Sequence, residues 1–217
     1  MKKLLLSAFI AFLPMTGMAA TILGFQIGGG SWEQTPSGAL VSTVGSDTLK
    51  ETEKGEGYTY FSLEHPVPLV PNIRLANTKV SAVGNTVITS VEIDQTDATL
   101  YYEILDNVIS LDLGITARNT DGQVAGTGST TFSETVPLLY ASAEIALPAG
   151  FALAAEINSI SSGSDKISDI SAKVTYTTSI GLGIEVGTRT QNFEVDIDNV
   201  QTDIEFSGLF AGVYFKF

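Results

Sequence analysis

The side chains that could do chemistry are few and widely spaced. His65 is the single histidine of the 217-residue chain. Ser62 precedes it by three residues, and a serine beside a histidine is a possible nucleophile and base. Three residues along a strand, however, place two side chains on opposite faces. Pro66, Pro68 and Pro71 mark His65 as part of a turn. Cysteine is absent, which removes thiolate nucleophiles, disulfides and cysteine-based zinc sites. One histidine also excludes a His-rich zinc centre. Glu103 and Asp112 are candidates for a carboxylate pair on adjacent strands, although such pairs are more often hydrogen-bonded to arginine or lysine than catalytic. These residues predict no enzyme, no catalytic residue, no cofactor and no resident metal. Acids also gather in three clusters: Asp47, Glu51, Glu53 and Glu56; Asp94 and Asp97; and Glu194, Asp196, Asp198 and Asp203. Oxygen ligands of this kind suit calcium or magnesium. None matches a known loop spacing, so they read as solvated surface charge.

The chain carries 11 Lys and Arg against 24 Asp and Glu, a formal charge of −13. That balance excludes nucleic acid as a partner, because phosphate recognition needs clustered cations. Apolar residues make up 44% and charged ones only 16%, too greasy for a disordered polyelectrolyte. The mean hydropathy of +0.24 is high for a protein dissolved in water.

Residues 1–20 read as a secretory signal peptide: Met1-Lys2-Lys3, an apolar run from Leu4 to Leu13, Pro14, then the small residues Gly17, Ala19 and Ala20. The run is shorter than the roughly 20 residues of a spanning helix. Cleavage after Ala19 or Ala20 removes two lysines, leaving a mature domain over 21–217.

That domain contains no long apolar run; it alternates. Ile109, Leu111, Leu113, Ile115 and Ala117 share one parity, while Ser110, Asp112, Gly114, Thr116 and Arg118 share the other. Ile180, Leu182, Ile184 and Val186 repeat the pattern, and so do Leu209, Ala211, Val213, Phe215 and Phe217. Period two means strands with one apolar and one polar face. A soluble β-sandwich would turn the apolar face inward, and a transmembrane barrel would turn it toward lipid. The strand-like segments reach nine residues or more, their polar faces carry both signs of charge, and the last strand runs to the final residue. These features favour an all-β, single antiparallel transmembrane β-barrel.

Four short connections, near 65–72, 106–107, 148–150 and 177–179, alternate with five longer polar segments at about 33–57, 84–96, 119–131, 159–168 and 193–203. The count is ten strands, with eight the alternative. The expected spans are 21–32, 58–64, 73–83, 97–105, 108–118, 132–147, 151–159, 169–177, 180–192 and 204–217. Both termini fall on the short-turn side, the periplasm. Inward parity collects Glu64, Glu103, Asp112, Glu144, Glu156 and Glu185 with Arg74, Arg118, Lys173, Arg189 and Lys216. Six acids against five bases suggest ion pairs across a narrow, largely filled lumen. A narrow channel for small solutes or ions is the alternative.

Ala211-Gly212-Val213-Tyr214-Phe215-Lys216-Phe217 resembles the terminal strand of Gram-negative outer-membrane barrels. Val213, Phe215 and Phe217 match the signal that the barrel-assembly machinery reads. A closer resemblance is to a family of small, poorly characterised outer-membrane β-barrels with an N-terminal Gly-Gly motif. It is carried by Gly28-Gly29-Gly30-Ser31-Trp32, the turn Glu64–Asn72, and Thr99-Leu100-Tyr101-Tyr102-Glu103-Ile104-Leu105-Asp106-Asn107. The resemblance implies fold and location, with no activity attached. The expected setting is the Gram-negative outer membrane, as a porin-like monomer in contact with lipid and lipopolysaccharide, where divalent ions could bridge the acidic loops to the sugar phosphates.

Gly24, Gly28 and Gly30 leave room inside for large neighbours such as Tyr214 or Phe210. Trp32 is expected at the outer interface, and Tyr101, Tyr102 and Tyr176 at the other rim. The same parity predicts that arginine at position 113 impairs assembly and that arginine at Thr116 is milder.

Overall fold

The computed structural model describes residues 23–42, 45–67, 69–162, 165–197 and 200–217. The signal segment and its cleavage point lie outside them. The described residues form β1 (Gly24–Ser42), β2 (Gly45–Thr48), β3 (Lys54–Glu64), β4 (Asn72–Ala82), β5 (Ser90–Asp106), β6 (Ile109–Ala125), β7 (Ser129–Ala146), β8 (Phe151–Ser162), β9 (Asp165–Thr177), β10 (Leu182–Ile197) and β11 (Val200–Lys216). Each long strand pairs antiparallel with its neighbours, and β11 returns to β1. The result is a closed barrel of ten strands. β2 is a four-residue addition that pairs only with the end of β1.

Closure ties the last residue to the first strand. The Phe25 and Phe217 amides and carbonyls bond reciprocally at 2.9 Å, and their rings stack at 5.7 Å. From Gly30, pairings run through Gly212, Glu185, Thr175 and Ala152 to Ala146. The other way round, they run through Tyr58, Thr78, Gln95 and Thr120 to Glu134. Residues 134 and 146 are twelve apart on one strand. That stagger tilts ten strands by about 40° from the barrel axis.

The short turns and both termini share one end, here the turn end. The strands are much longer toward the loop end than the alternation suggests. β1 continues to Ser42, β5 begins at Ser90, β6 runs to Ala125, and β10 and β11 form a continuous hairpin through much of 193–203. The expected loops at 33–57, 84–96, 119–131, 159–168 and 193–203 are therefore largely strand, and Asp94 and Asp97 lie within β5. The physical reason is a change of phase. Near the turn end the outward residues are apolar: Leu100, Leu113, Ile184 and Val213 are all exposed. Toward the loop end the apolar residues switch to the inward parity, as in Val91, Ile93, Val124, Phe193, Ile204 and Phe206, which are buried. A strand whose apolar face flips midway looks polar and irregular in sequence. The molecule thus has an apolar belt outside its turn-end half and an apolar core inside its loop-end half.

Gly28 shows why a small residue is needed in β1. A Cβ there would fall 2.6 Å from the Tyr60 ring and 2.9 Å from Tyr214 Cβ, so glycine makes room for two large inward rings.

Candidate functional site

The bore has three zones. At the turn end it opens as a vestibule of about 510 Å³. Glu64 of β3, Glu103 and Asp106 of β5, Asp112 of β6, Glu144 of β7 and Lys216 of β11 line it. Glu103 and Asp112 are directly opposite in the β5–β6 register. Glu103, Asp112 and Glu144 make no ion pair among the described residues. Tyr101 donates to Glu64 at 3.2 Å. The vestibule is therefore open and acidic, a correction to the expectation of ion pairs throughout a filled lumen.

Above it the bore narrows to a recess of about 60 Å³. Lys173 meets Glu185 at 2.7 Å, and Arg74 meets Glu156 at 3.5 Å. Tyr58 and Tyr60 donate to the two oxygens of Glu185 at 2.7 and 3.2 Å. The Arg74 guanidinium also lies 4.6 Å above the Tyr60 ring, a cation–π contact.

Next comes a charged layer that crosses the bore. Arg118 of β6, only 1% exposed, grips Asp97 of β5 with Nε and Nη2 at 2.7 and 2.6 Å. The same Nη2 reaches Asp169 of β9 at 2.7 Å. Arg189 of β10 holds Asp169 through Nε and Nη2 at 2.8 and 2.6 Å and donates to Thr78 of β4 at 3.1 Å. Gln95 and Gln191 exchange two hydrogen bonds of 3.1 Å from opposite walls. Beyond this layer, Leu40, Val80, Ile88, Val124, Ile204 and Phe206 pack the interior.

All eleven inward charges face these zones. The two acids of the charged layer, Asp97 and Asp169, were not among them. Each shares inward parity with a residue that was, Glu103 and Lys173 respectively, but each lay at the edge of an expected loop. Trp32 is not an interface residue: it is fully buried, under the Arg189 guanidinium at 5.1 Å. Tyr101 is buried rather than at the rim, whereas Tyr102 is outward and donates to Leu69 O at 2.9 Å. Tyr176 packs on Phe151 with ring centroids 5.0 Å apart. Thr116 is also fully buried and bonded to Thr99 and Asn158 at 2.7 and 2.6 Å. An arginine there would overpack the bore, so a milder effect at position 116 is no longer expected.

His65 is used by its turn. Its Nε2 lies 3.1 Å from Pro71 O, and its Nδ1 accepts from the Val67 amide at 3.3 Å. Among the described residues no acidic group has the arrangement of a metal site; Asp198 and the side chain of Asp196 lie outside them.

Asp47 of the first acidic cluster has a definite task. Its Oδ2 accepts from the amides of Thr86, Val87 and Ile88 at 2.8, 2.8 and 2.9 Å, and its Oδ1 accepts from the Thr86 hydroxyl at 3.0 Å. These bonds fasten the β4–β5 connection over the loop-end mouth, with Ile88 plugged into the apolar core. Burial alone would raise the carboxyl; the four donors outweigh it and hold Asp47 well below the usual carboxylate range. With the folded value depressed, the contribution is complete above the unfolded aspartate pKa, near 3.9. It is lost only as pH falls through the folded value. The cover therefore stays fastened at neutral and mildly acid pH. Asp47→Ala is expected to speed amide exchange at Thr86–Ile88 at least tenfold at pH 7, measured by hydrogen–deuterium exchange. Unchanged protection would show that the apolar anchor alone holds it.

No protein-family model and no curated protein matches the chain. Among solved structures it is similar to Neisserial surface protein A, with 12% identity over 89% of this chain and 97% of that one and a TM-score of 0.43. It is also similar to the Pseudomonas putida toluene transporter TodX, with 8% identity over 91% and 90% of the two chains and a TM-score of 0.31.

Proposed function

We propose that the chain is an integral outer-membrane β-barrel of a Gram-negative cell with a structural or interaction role and a sealed bore. The seal is the observation that carries this reading. Arg118, Asp97, Asp169 and Arg189 bridge the lumen, and a cluster of buried apolar side chains packs between that layer and the loop end. Neither layer offers a solute a continuous polar path.

The location rests on the outward belt. Exposed Leu, Ile, Val and Phe side chains ring the turn-end half, and a closed sheet satisfies the backbone groups that lipid cannot. In this setting residues 1–20 are the exported signal, residues 21–217 the barrel, and the turn end faces the periplasm. Val213, Phe215 and Phe217 serve the assembly machinery, as their resemblance to other terminal strands implies. The acidic loop end faces lipopolysaccharide. The barrel is a monomer that needs no cofactor and catalyses no reaction. A second reading, a narrow channel for small solutes or ions, draws on the open vestibule; in it, the Arg118 layer would be the gate.

Planar-bilayer recording of the refolded, purified barrel separates the two. The expected result is silence under applied voltage. Reproducible unitary openings would overturn the sealed-bore reading while leaving the membrane location intact.

A further inference from the structure

The ten-strand ring is complete, yet one seam parts toward the loop end. β7 pairs with β6 along its whole length, to Ala125↔Ser129. With β8 it pairs only from Leu139↔Ser159 to Ala146↔Ala152. From Thr131 to Pro137, the side of β7 turned away from β6 meets no strand among the described residues.

The direction of the free groups follows from the register. The Ala146 amide bonds to Val108 on the β6 side, and the Leu147 amide bonds to Phe151 on the β8 side. The β6–β7 ladder runs without a bulge, so even-numbered amides of β7 face β6 and odd-numbered amides face the seam. The amides of Thr131, Ser133 and Thr135 thus point into it. Pro137 has no amide hydrogen, and its nitrogen falls on the same side. The β7–β8 ladder cannot be continued through it, which explains why pairing stops at Leu139.

Side chains along this edge give it a character. Phe132 and Val136 are half-buried on the inward face, and Glu134 is exposed between them. Glu134 makes no ion pair among the described residues. The rest of the loop end is acidic as well, with Lys50, Lys54, Lys79 and Lys166 heavily outnumbered by Asp and Glu.

We propose that the Thr131–Pro137 edge of β7 is a docking site for an extended, basic segment of another protein, which adds as a strand. The backbone edge supplies the affinity, and alternate side chains supply the selection. Apolar residues of the incoming segment cover Phe132 and Val136, and a lysine or arginine meets Glu134. A second copy of the same edge is a poor occupant, because antiparallel self-pairing about this point sets Glu134 against Glu134. Pro137 and Glu134 also guard the edge against indiscriminate pairing. The inference rests on the proposed outer-membrane orientation only in placing this partner at the cell exterior.

The test uses the refolded full-length barrel in detergent micelles, with folding confirmed by heat-modifiable gel mobility. The probe is a fluorescent nine-residue peptide, Lys-Thr-Val-Thr-Lys-Thr-Val-Thr-Lys, whose odd positions share one face and set valine, lysine and valine opposite Phe132, Glu134 and Val136. Saturable binding is expected. It should weaken at least tenfold when alternate amides of the peptide are N-methylated, and similarly in the Ser133→Pro barrel. That substitution removes a seam-facing N–H and leaves the β6 ladder untouched. Glu134→Lys should also weaken binding at least tenfold. Absence of saturable binding overturns the proposal. So does equal binding of the N-methylated peptide, which would reduce the effect to charge adsorption. If Ser133→Pro does not fold, the N-methylated peptide and Glu134→Lys still test strand addition. None of these readouts depends on conductance or cellular location, so failure here is separable from failure of the sealed-bore reading.

Discussion

Arg118→Ala will lower the unfolding midpoint of the refolded barrel sharply, by an amount equivalent to about 3–5 kcal/mol, the usual cost of removing one partner from a buried ion pair. Arg118 gives Asp97 both of its charge-assisted bonds and is one of two arginines on Asp169. Without it, Asp97 remains almost buried with no cation, while Asp169 retains Arg189 and Gln191. Arg118→Lys should recover only part of the loss. One ammonium cannot present the planar fork that holds Asp97 while also reaching Asp169. Removing both members of the near pair, Arg118→Leu with Asp97→Asn, should cost less than Arg118→Ala alone, since no charge is stranded. Guanidinium titration followed by tryptophan fluorescence reads the outcome. It reports locally, because the single Trp32 lies under Arg189 at the same level of the bore. A midpoint for Arg118→Ala within error of wild type would mean that the layer is hydrated and contributes nothing to closure. The bore should stay non-conducting in all of these variants, because the apolar core beyond the layer is untouched.

Leu113→Arg will block assembly. Leu113 is outward on β6 and 47% exposed, between Leu111 and Ile115 in the middle of the belt. An arginine at the lipid-facing midplane costs about 2–4 kcal/mol, whereas inward positions tolerate polar groups. The matched control is Ser110→Arg, which points into the open vestibule among Glu144, Asp112 and Glu103. It adds a cation where acids are in excess, so it should assemble as well as wild type. Heat-modifiable mobility of membrane fractions gives the folded fraction of each. Equal loss in the two variants would show that the belt does not face lipid. Equal tolerance would point to a molecule that folds with this face in water.

Alternation made the turn-end half legible. The segments 109–117, 180–186 and 209–217 each show period two without interruption, and the structure makes strand of 109–117, 182–186 and 209–216 with their apolar residues outward. Ten strands, antiparallel order and termini at the short-turn end were readable from the spacing of proline- and glycine-rich turns. The loop-end half was harder to read. Where the apolar parity flips, as between Val186 and Phe193 or between Phe206 and Leu209, a strand loses its amphipathic signature, and acids such as Asp97 and Asp203 make it resemble a loop. Trp32 and Tyr101 illustrate the same limit. An aromatic ring at the end of an alternating run suits an interface, and only its parity relative to the closed ring reveals that it points inward.

The sequence by itself determined which residues of the turn-end segments share a face, because side-chain direction along a strand is local and repeats every two residues. In the proposed membrane setting the chain must also close, since lipid offers no partner to a free strand edge. The tertiary structure alone decided what the inward residues do. Whether Arg118 meets Asp169, or Gln95 meets Gln191 from 96 positions away, depends on the twelve-residue stagger set when β11 pairs with β1 and on the diameter that ten tilted strands enclose. Those are properties of the whole ring, and no local pattern records them. That closure turned an even mixture of inward charges into an open acidic vestibule below and a sealed layer above. It also left one seam of β7 without a strand partner among the described residues.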